Sequence, residues 1–159
     1  MSYIGEQFHK PTGLGGKLAT FVMNRQNWRQ YAGAEAALNL VGTESVLDIG
    51  FGNGYLLGRL AGRYDCCFYG VDISPDMLQT ATKRNRKSID SGKMCLSLGS
   101  AEKTGLESDS IDKAYTVNTV YFWSSLDAGL ADIWRILKPG RVLALRLKRA
   151  RLSRAGRIA

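Results

Sequence analysis

The 159-residue sequence predicts an α/β fold, a doubly wound and mostly parallel sheet of about five strands. Three observations predict it. Short apolar runs alternate with helix-like stretches from residue 45 onward. The first run leads directly into a cluster of glycines and then a helix pattern. Aspartates stand near the ends of the first two runs, at Asp48 and Asp72. Strands separated by helices imply parallel crossovers, with helices covering both faces of the sheet. Such sheets bind ligands beyond the carboxyl ends of their strands, where the strand order reverses.

The elements follow in order. Residues 1–17 are glycine-rich and polar and read as an irregular arm. Residues 18–40 read as a helix, with Leu18, Phe21, Val22, Trp28, Ala32, Ala36 and Leu40 at helical spacing and Gly42 as a stop. Ser45–Ile49 is a short apolar strand, and Tyr55–Gly62 reads as the helix after it. Residues 66–71 form the next strand, followed by Ser74 as N-cap and Pro75 at the first position of a helix running to about Arg86. Met94–Leu98 and Ile111–Val117 read as the third and fourth strands. Ser125 caps a helix from Leu126 to Leu137, which Lys138-Pro139-Gly140 ends, and Val142–Leu147 is the fifth strand.

Composition narrows the class. The length suits one domain, 1–159, able to bury roughly 70% of its unfolded surface without a metal or disulfide. With 45% apolar and 23% charged residues it is globular in composition. No apolar run approaches the ~18 residues of a membrane span, and the first ten residues lack the layout of a secretory signal. The net charge of +8 is a property of the tail: Arg141, Arg146, Lys148, Arg149, Arg151, Arg154 and Arg157 stand in a segment without acids. The first 140 residues carry 15 basic and 14 acidic side chains. Cys66, Cys67 and Cys95 lack metal-type spacing and read as reduced, buried residues of a cytoplasmic protein.

The segment Val46-Leu47-Asp48-Ile49-Gly50-Phe51-Gly52-Asn53-Gly54 is the strongest local signal. Glycines permit a tight turn and close approach of backbone to ligand, and the exposed N–H groups at the next helix start favour negative or polar ligand groups. The nicotinamide fingerprint G-x-G-x-x-G requires glycine where this chain has Tyr55. The pattern here is G-x-G-x-G with Asp48 two residues before it, which suits a ligand with a cationic amino-acid head better than a pyrophosphate. Asp72 ends the second strand, where a carboxylate can accept both hydroxyls of a ribose.

With these residues in hand, the sequence resembles the class I S-adenosylmethionine-dependent methyltransferases, and among them the small-molecule group of the ubiquinone and menaquinone biosynthesis methyltransferases. The resemblance spans about 46–140. It is carried by D-I-G-F-G-N-G, by G-V-D-I-S, by G-S-A-E at 99–102, by S-D-S-I-D-K-A-Y-T-V-N at 108–118, and by I-W-R-I-L-K-P-G at 133–140. It implies a Rossmann-like fold and S-adenosylmethionine as cofactor. It also implies that Asp48 and Gly50 serve the methionine end, and that Gly52 and Gly54 form the loop beneath the ligand. Asp72 would take the ribose, Ile73 would pack on adenine, and Ser100, Ala101 and Glu102 would lie along the adenine edge. Asn118 would stand near the transferring methyl. Ser100 occupies a position where many relatives carry aspartate.

Methyl transfer from a sulfonium is a direct displacement, so alignment of donor and acceptor supplies much of the acceleration. The expected acceptor is a small molecule, with Tyr121, Trp123, Trp28 and Tyr31 as candidate pocket walls; Phe122 and Trp123 also read as plain core. No metal site is expected, and no catalytic base stands out, since the single histidine, His9, lies in the arm. The family sheet ends in a further hairpin that this chain lacks after Gly140. Residues 141–159 therefore read either as the product of a truncation or frame change, or as a genuine short form. Two other functions stay open: a non-catalytic or remnant S-adenosylmethionine-binding domain, and a nucleic-acid methyltransferase using the basic tail.

Overall fold

The structure is a computed structural model, and it describes residues 28–147. In chain order the elements are α1 (28–38), β1 (Ser45–Ile49), α2 (Tyr55–Ala61), β2 (Cys67–Asp72), α3 (Pro75–Arg84), α4 (Arg86–Asp90), β3 (Met94–Leu98), β4 (Ile111–Val117), α5 (Leu126–Ile136) and β5 (Leu137–Arg146). A 3₁₀ turn, Val120–Phe122, lies between β4 and α5. The strands form one five-stranded sheet in the order β3-β2-β1-β4-β5, with every pairing parallel. The chain winds outward from β1 to β3 and then restarts at β4 on the other side of β1. The reversal therefore falls at the β1/β4 boundary.

The core forms two layers because alternate strand residues face opposite sides. On one face, Val46, Phe68, Met94 and Tyr115 pack with Ala34 and Leu38 of α1, Leu57 and Leu60 of α2, and Ala81 of α3. On the other, Leu47, Ile49, Val71 and Ala114 pack with Ile133 and Ile136 of α5. Both Ser74 and Ser125 cap their helices as expected, accepting from the Met77 and Ala128 amides.

Three expectations change. Strand β5 begins at Leu137 without a separating turn and runs through Lys138-Pro139-Gly140. Leu137 pairs with Ile111 and Val142 with Lys113, so 138–141 bulge out of the ladder. That bulge tolerates Pro139, which has no N–H to donate, and it sets Lys138 Nζ 2.8 Å from Asp112. Only Cys66 is a buried cysteine, its thiol donating to the Gly42 carbonyl. Cys67 and Cys95 are exposed, because they lie towards the β2/β3 side of the face that α5 covers over β1 and β4. Finally, the helical stretch after β2 divides at Asn85, whose buried side chain turns inward: Nδ2 donates to Gly54 O and to Ala81 O, both at 3.0 Å.

Asn85 thereby ties α3 to the turn between β1 and α2, and Gly58 of α2 leaves room for it, since a Cβ there would collide with Asn85 Oδ1. Asn85→Ala removes both bonds and strands the Gly54 carbonyl. It should lower unfolding stability by about 1–3 kcal/mol, read as a lower urea midpoint at unchanged slope.

Candidate cofactor and acceptor site

The turn after β1 is built from backbone that only glycine adopts cheaply. Gly50, Gly52 and Gly54 have φ of 77°, 54° and 69°. Space is as restrictive as angle at the two outer positions. A Cβ on Gly50 would lie 2.5 Å from Thr119 Cγ2, and one on Gly54 would lie 2.7 Å from Ala81 Cβ. The Gly50 amide donates to Val71 O at 2.8 Å, and Asn53 Oδ1 accepts from the Tyr55 amide at 3.0 Å where α2 begins.

This turn closes over the end of β2. Asp72 Oδ2 accepts from the Gly52 amide at 2.8 Å and Oδ1 from the Ser74 amide at 2.9 Å. Both carboxylate oxygens are thus fixed by backbone donors, and each retains a further lone pair. Asp48 stands on β1 beside it. The two carboxylates are 5% and 8% exposed. Burial pushes the Asp48 carboxyl up to about 8; the Tyr115 hydroxyl on β4 opposes the rise and the Asp72 charge adds to it. Burial also drives Tyr115 well above its ordinary value, with Asp48 reinforcing it.

The opposite wall comes from the segment after β4. Asn118 takes φ 59° and its amide donates to Arg146 O at 2.9 Å, which turns the chain out of the sheet. Thr119 Oγ1 donates to Ile49 O at 3.2 Å and also contacts the Thr116 hydroxyl, so this segment is bound to the end of β1. The 3₁₀ turn then raises Phe122 to the mouth, 69% exposed. Trp123 follows and packs on Gly129 of α5, where a Cβ would lie 2.7 Å from its ring. Glu102 joins this wall to the loop after β3: one carboxylate oxygen accepts from the Ser124 amide at 2.6 Å and from Ser125 at 3.2 Å. Its own backbone N–H, with the Ser100 hydroxyl and those two amides, holds its carboxyl below the usual range against the effect of burial.

These walls enclose a cavity of about 340 Å³ at the carboxyl end of the sheet, over the β1/β4 boundary. Asp48, Gly50, Gly52, Asp72, Ile73 and Asn118 line it, as do Ser100, Ala101 and Glu102. Tyr31 and Trp123 of the aromatic candidates reach it as well. Three expected residues do not. Gly54 caps α2 and presses on α3 instead. Trp28 lies under the Arg59 guanidinium, 4.3 Å from its ring centre, because Arg59 is drawn to Glu35 on the same helix as Trp28. Tyr121 is 58% exposed and does not line the cavity, whereas Phe122, also read as core, lies at its mouth instead. His9 and residues 148–159 lie outside the described residues. Among the described residues no cluster of three or more His, Cys, Asp or Glu side chains could hold a metal, and no helix is long and apolar enough to cross a membrane.

A family model described as a methyltransferase domain matches residues 46–140, the stretch that contains this turn, both carboxylates and the wall after β4. The chain belongs to the S-adenosylmethionine-dependent methyltransferases. An uncharacterized methyltransferase, YdaC of Bacillus subtilis (strain 168), is 29% identical over 132 residues, covering 82% of this chain and 71% of that one. An O-methyltransferase of Pyrenophora dematioidea is 26% identical over 102 residues, covering 64% of this chain and 38% of that one. Among solved structures, phosphoethanolamine N-methyltransferase 2 of Haemonchus contortus, in complex with S-adenosyl-L-methionine, superposes with a TM-score of 0.71 at 22% identity. It covers 91% of this chain and 35% of that one, and so shares the fold.

The methyltransferase fold here carries a stability cost at Asp48 that depends on pH. Its carboxyl is raised, so the folded chain holds a proton that the unfolded chain has lost, and stability falls as pH rises from about 4 to about 8. Asp48→Asn removes that cost. It should raise the melting temperature at pH 8.5 by roughly 4–10 °C, on the order of 2–3 kcal/mol, and the gain should shrink towards pH 4.5. Calorimetric scans of both proteins across that range check it.

Proposed function

We propose that this methyltransferase domain transfers a methyl group from S-adenosylmethionine to a small-molecule acceptor by direct displacement. The observation that carries the reading is the pair of nearly buried carboxylates, Asp48 and Asp72, flanking a positive-φ glycine turn at the carboxyl ends of neighbouring strands. Among the described residues the cavity lining holds three carboxylates and no lysine, arginine or histidine, which suits a cationic ligand.

In this reading Asp48 and the Gly50 backbone meet the amino-acid end, and Asp72 offers its remaining lone pairs to the two ribose hydroxyls. Ile73, 67% exposed at the rim, packs on adenine, with Ser100 and Ala101 along its edge. Glu102 fixes the wall, its carboxylate being engaged by Ser124 and Ser125. Asn118 stands where the methyl leaves. When bound, S-adenosylmethionine supplies the activated methyl; the chain's share is to orient the donor and hold the acceptor in line within ~3–3.5 Å.

Tyr31, Phe122 and Trp123 give the cavity an aromatic side. With no cation among the described lining residues to pair a phosphate, that side favours a neutral, apolar or aromatic acceptor. The O-methyltransferase name of the Pyrenophora relative supports oxygen as the atom methylated.

Calorimetric titration with S-adenosylmethionine and S-adenosylhomocysteine tests the cofactor half. Asp72→Ala should weaken both ligands by roughly 30- to 100-fold, the loss of charge-assisted hydrogen bonds worth about 2–3 kcal/mol. Asp72→Asn keeps the shape and one acceptor and should fall between. A folded chain that binds neither ligand would sink the reading.

A further inference from the structure

We propose that Asp48 enters ligand binding protonated and gives up that proton when an amino-acid ammonium group arrives, with Tyr115 as the positioning residue behind it. The inference rests on the S-adenosylmethionine reading of this cavity and adds a proton to it.

The geometry isolates the Asp48 carboxyl. Its register partner on β2 is Gly70, which offers no side chain, and its partner on β4 is Tyr115. Tyr115 is fully buried and its hydroxyl faces Asp48, where it favours the ionised carboxyl. The other titratable groups on this side are Asp72 from β2 and Tyr31 from α1. Among the described residues, three cations of the packed elements are committed elsewhere. Arg59 of α2 goes to Glu35, Arg84 of α3 lies over the Tyr55 ring, and Arg146 of β5 donates to Gly33 O. A carboxylate held this way would face a second negative charge without a counter-ion among the described residues, and a proton removes that conflict. Burial accordingly raises the Asp48 carboxyl to about 8.

An arriving ammonium supplies the missing counter-ion. Asp48 then ionises and pairs with it, the Tyr115 hydroxyl donates to the new carboxylate, and the proton passes to buffer. Below the ionisation of Asp48 the affinity should rise up to tenfold per pH unit, and it should level off above.

Titration of the full chain with S-adenosylhomocysteine at pH 6.5, in two buffers of different ionisation enthalpy, reads the proton directly. About one proton should be released per ligand. 5′-Methylthioadenosine has the adenosine and sulfur but no amino-acid head, and should release close to none. Asp48→Asn should abolish release. Tyr115→Phe should move the plateau of affinity against pH to higher pH, whereas a purely structural role would lower affinity equally at every pH. Binding of S-adenosylhomocysteine without proton release, or equal release with both ligands, overturns this inference and leaves the cofactor reading standing. No binding by a folded chain overturns both. Where a variant fails to fold, the comparison of the two ligands on the unaltered chain decides.

Discussion

Asp48 and Asp72 end up side by side because parallel strands deliver their carboxyl ends to one edge of the sheet, and both side chains are almost out of water there. Burying a carboxylate without compensation is costly, so the surrounding backbone is shaped by the need to compensate it. Asp72 is satisfied by the amides of Gly52 and Ser74, which come from different loops. The Gly52 amide faces it only if the chain after β1 turns back on itself, and that turn places three glycines at positive φ. The order of the strands, the conformation of the turn and the place of the cavity are therefore parts of one electrostatic problem.

The turn needs its own support, because glycine contributes no side-chain packing. Support comes from three directions. Asn85 holds the Gly54 carbonyl from α3, Thr119 holds the end of β1 from the segment after β4, and Val71 accepts from the Gly50 amide. On the acceptor side, Trp123 is both wall and core: one part packs on the bare surface of Gly129 while another reaches the cavity. A binding surface built on such rigid contacts limits the rearrangement that ligand entry requires.

Much of this was legible in the sequence, for physical reasons that differ by element. The apolar runs at 45–49, 94–98 and 111–117 are short and punctuated by turn residues, so local pattern suffices to place them. The glycine turn and Asp72 were legible because their chemistry is local as well. What the sequence left hidden depends on contacts between distant segments. Asn85 lies 31 residues from the carbonyl it holds, and nothing near it in the chain marks it as part of the site. Tyr115 looks like one apolar strand residue among several until the register sets it opposite Asp48. Trp28 was drawn away by Arg59, a competition that helical spacing does not reveal. Phe122 rather than Tyr121 reaches the cavity mouth because a 3₁₀ turn, not a strand or helix, sets the direction of each ring. The start of β5 was misplaced because Pro139-Gly140 is a turn signal that a bulge can absorb.

Glu102 gives the site a further property. One carboxylate links the loop beyond β3 to the start of α5, and so bridges the half of the cavity assigned to adenine and the half walled by Phe122 and Trp123. Ordering one half thereby restrains the other before anything occupies it. A nucleoside seated against the first wall would pre-set the second, lowering the entropy that a later guest must surrender.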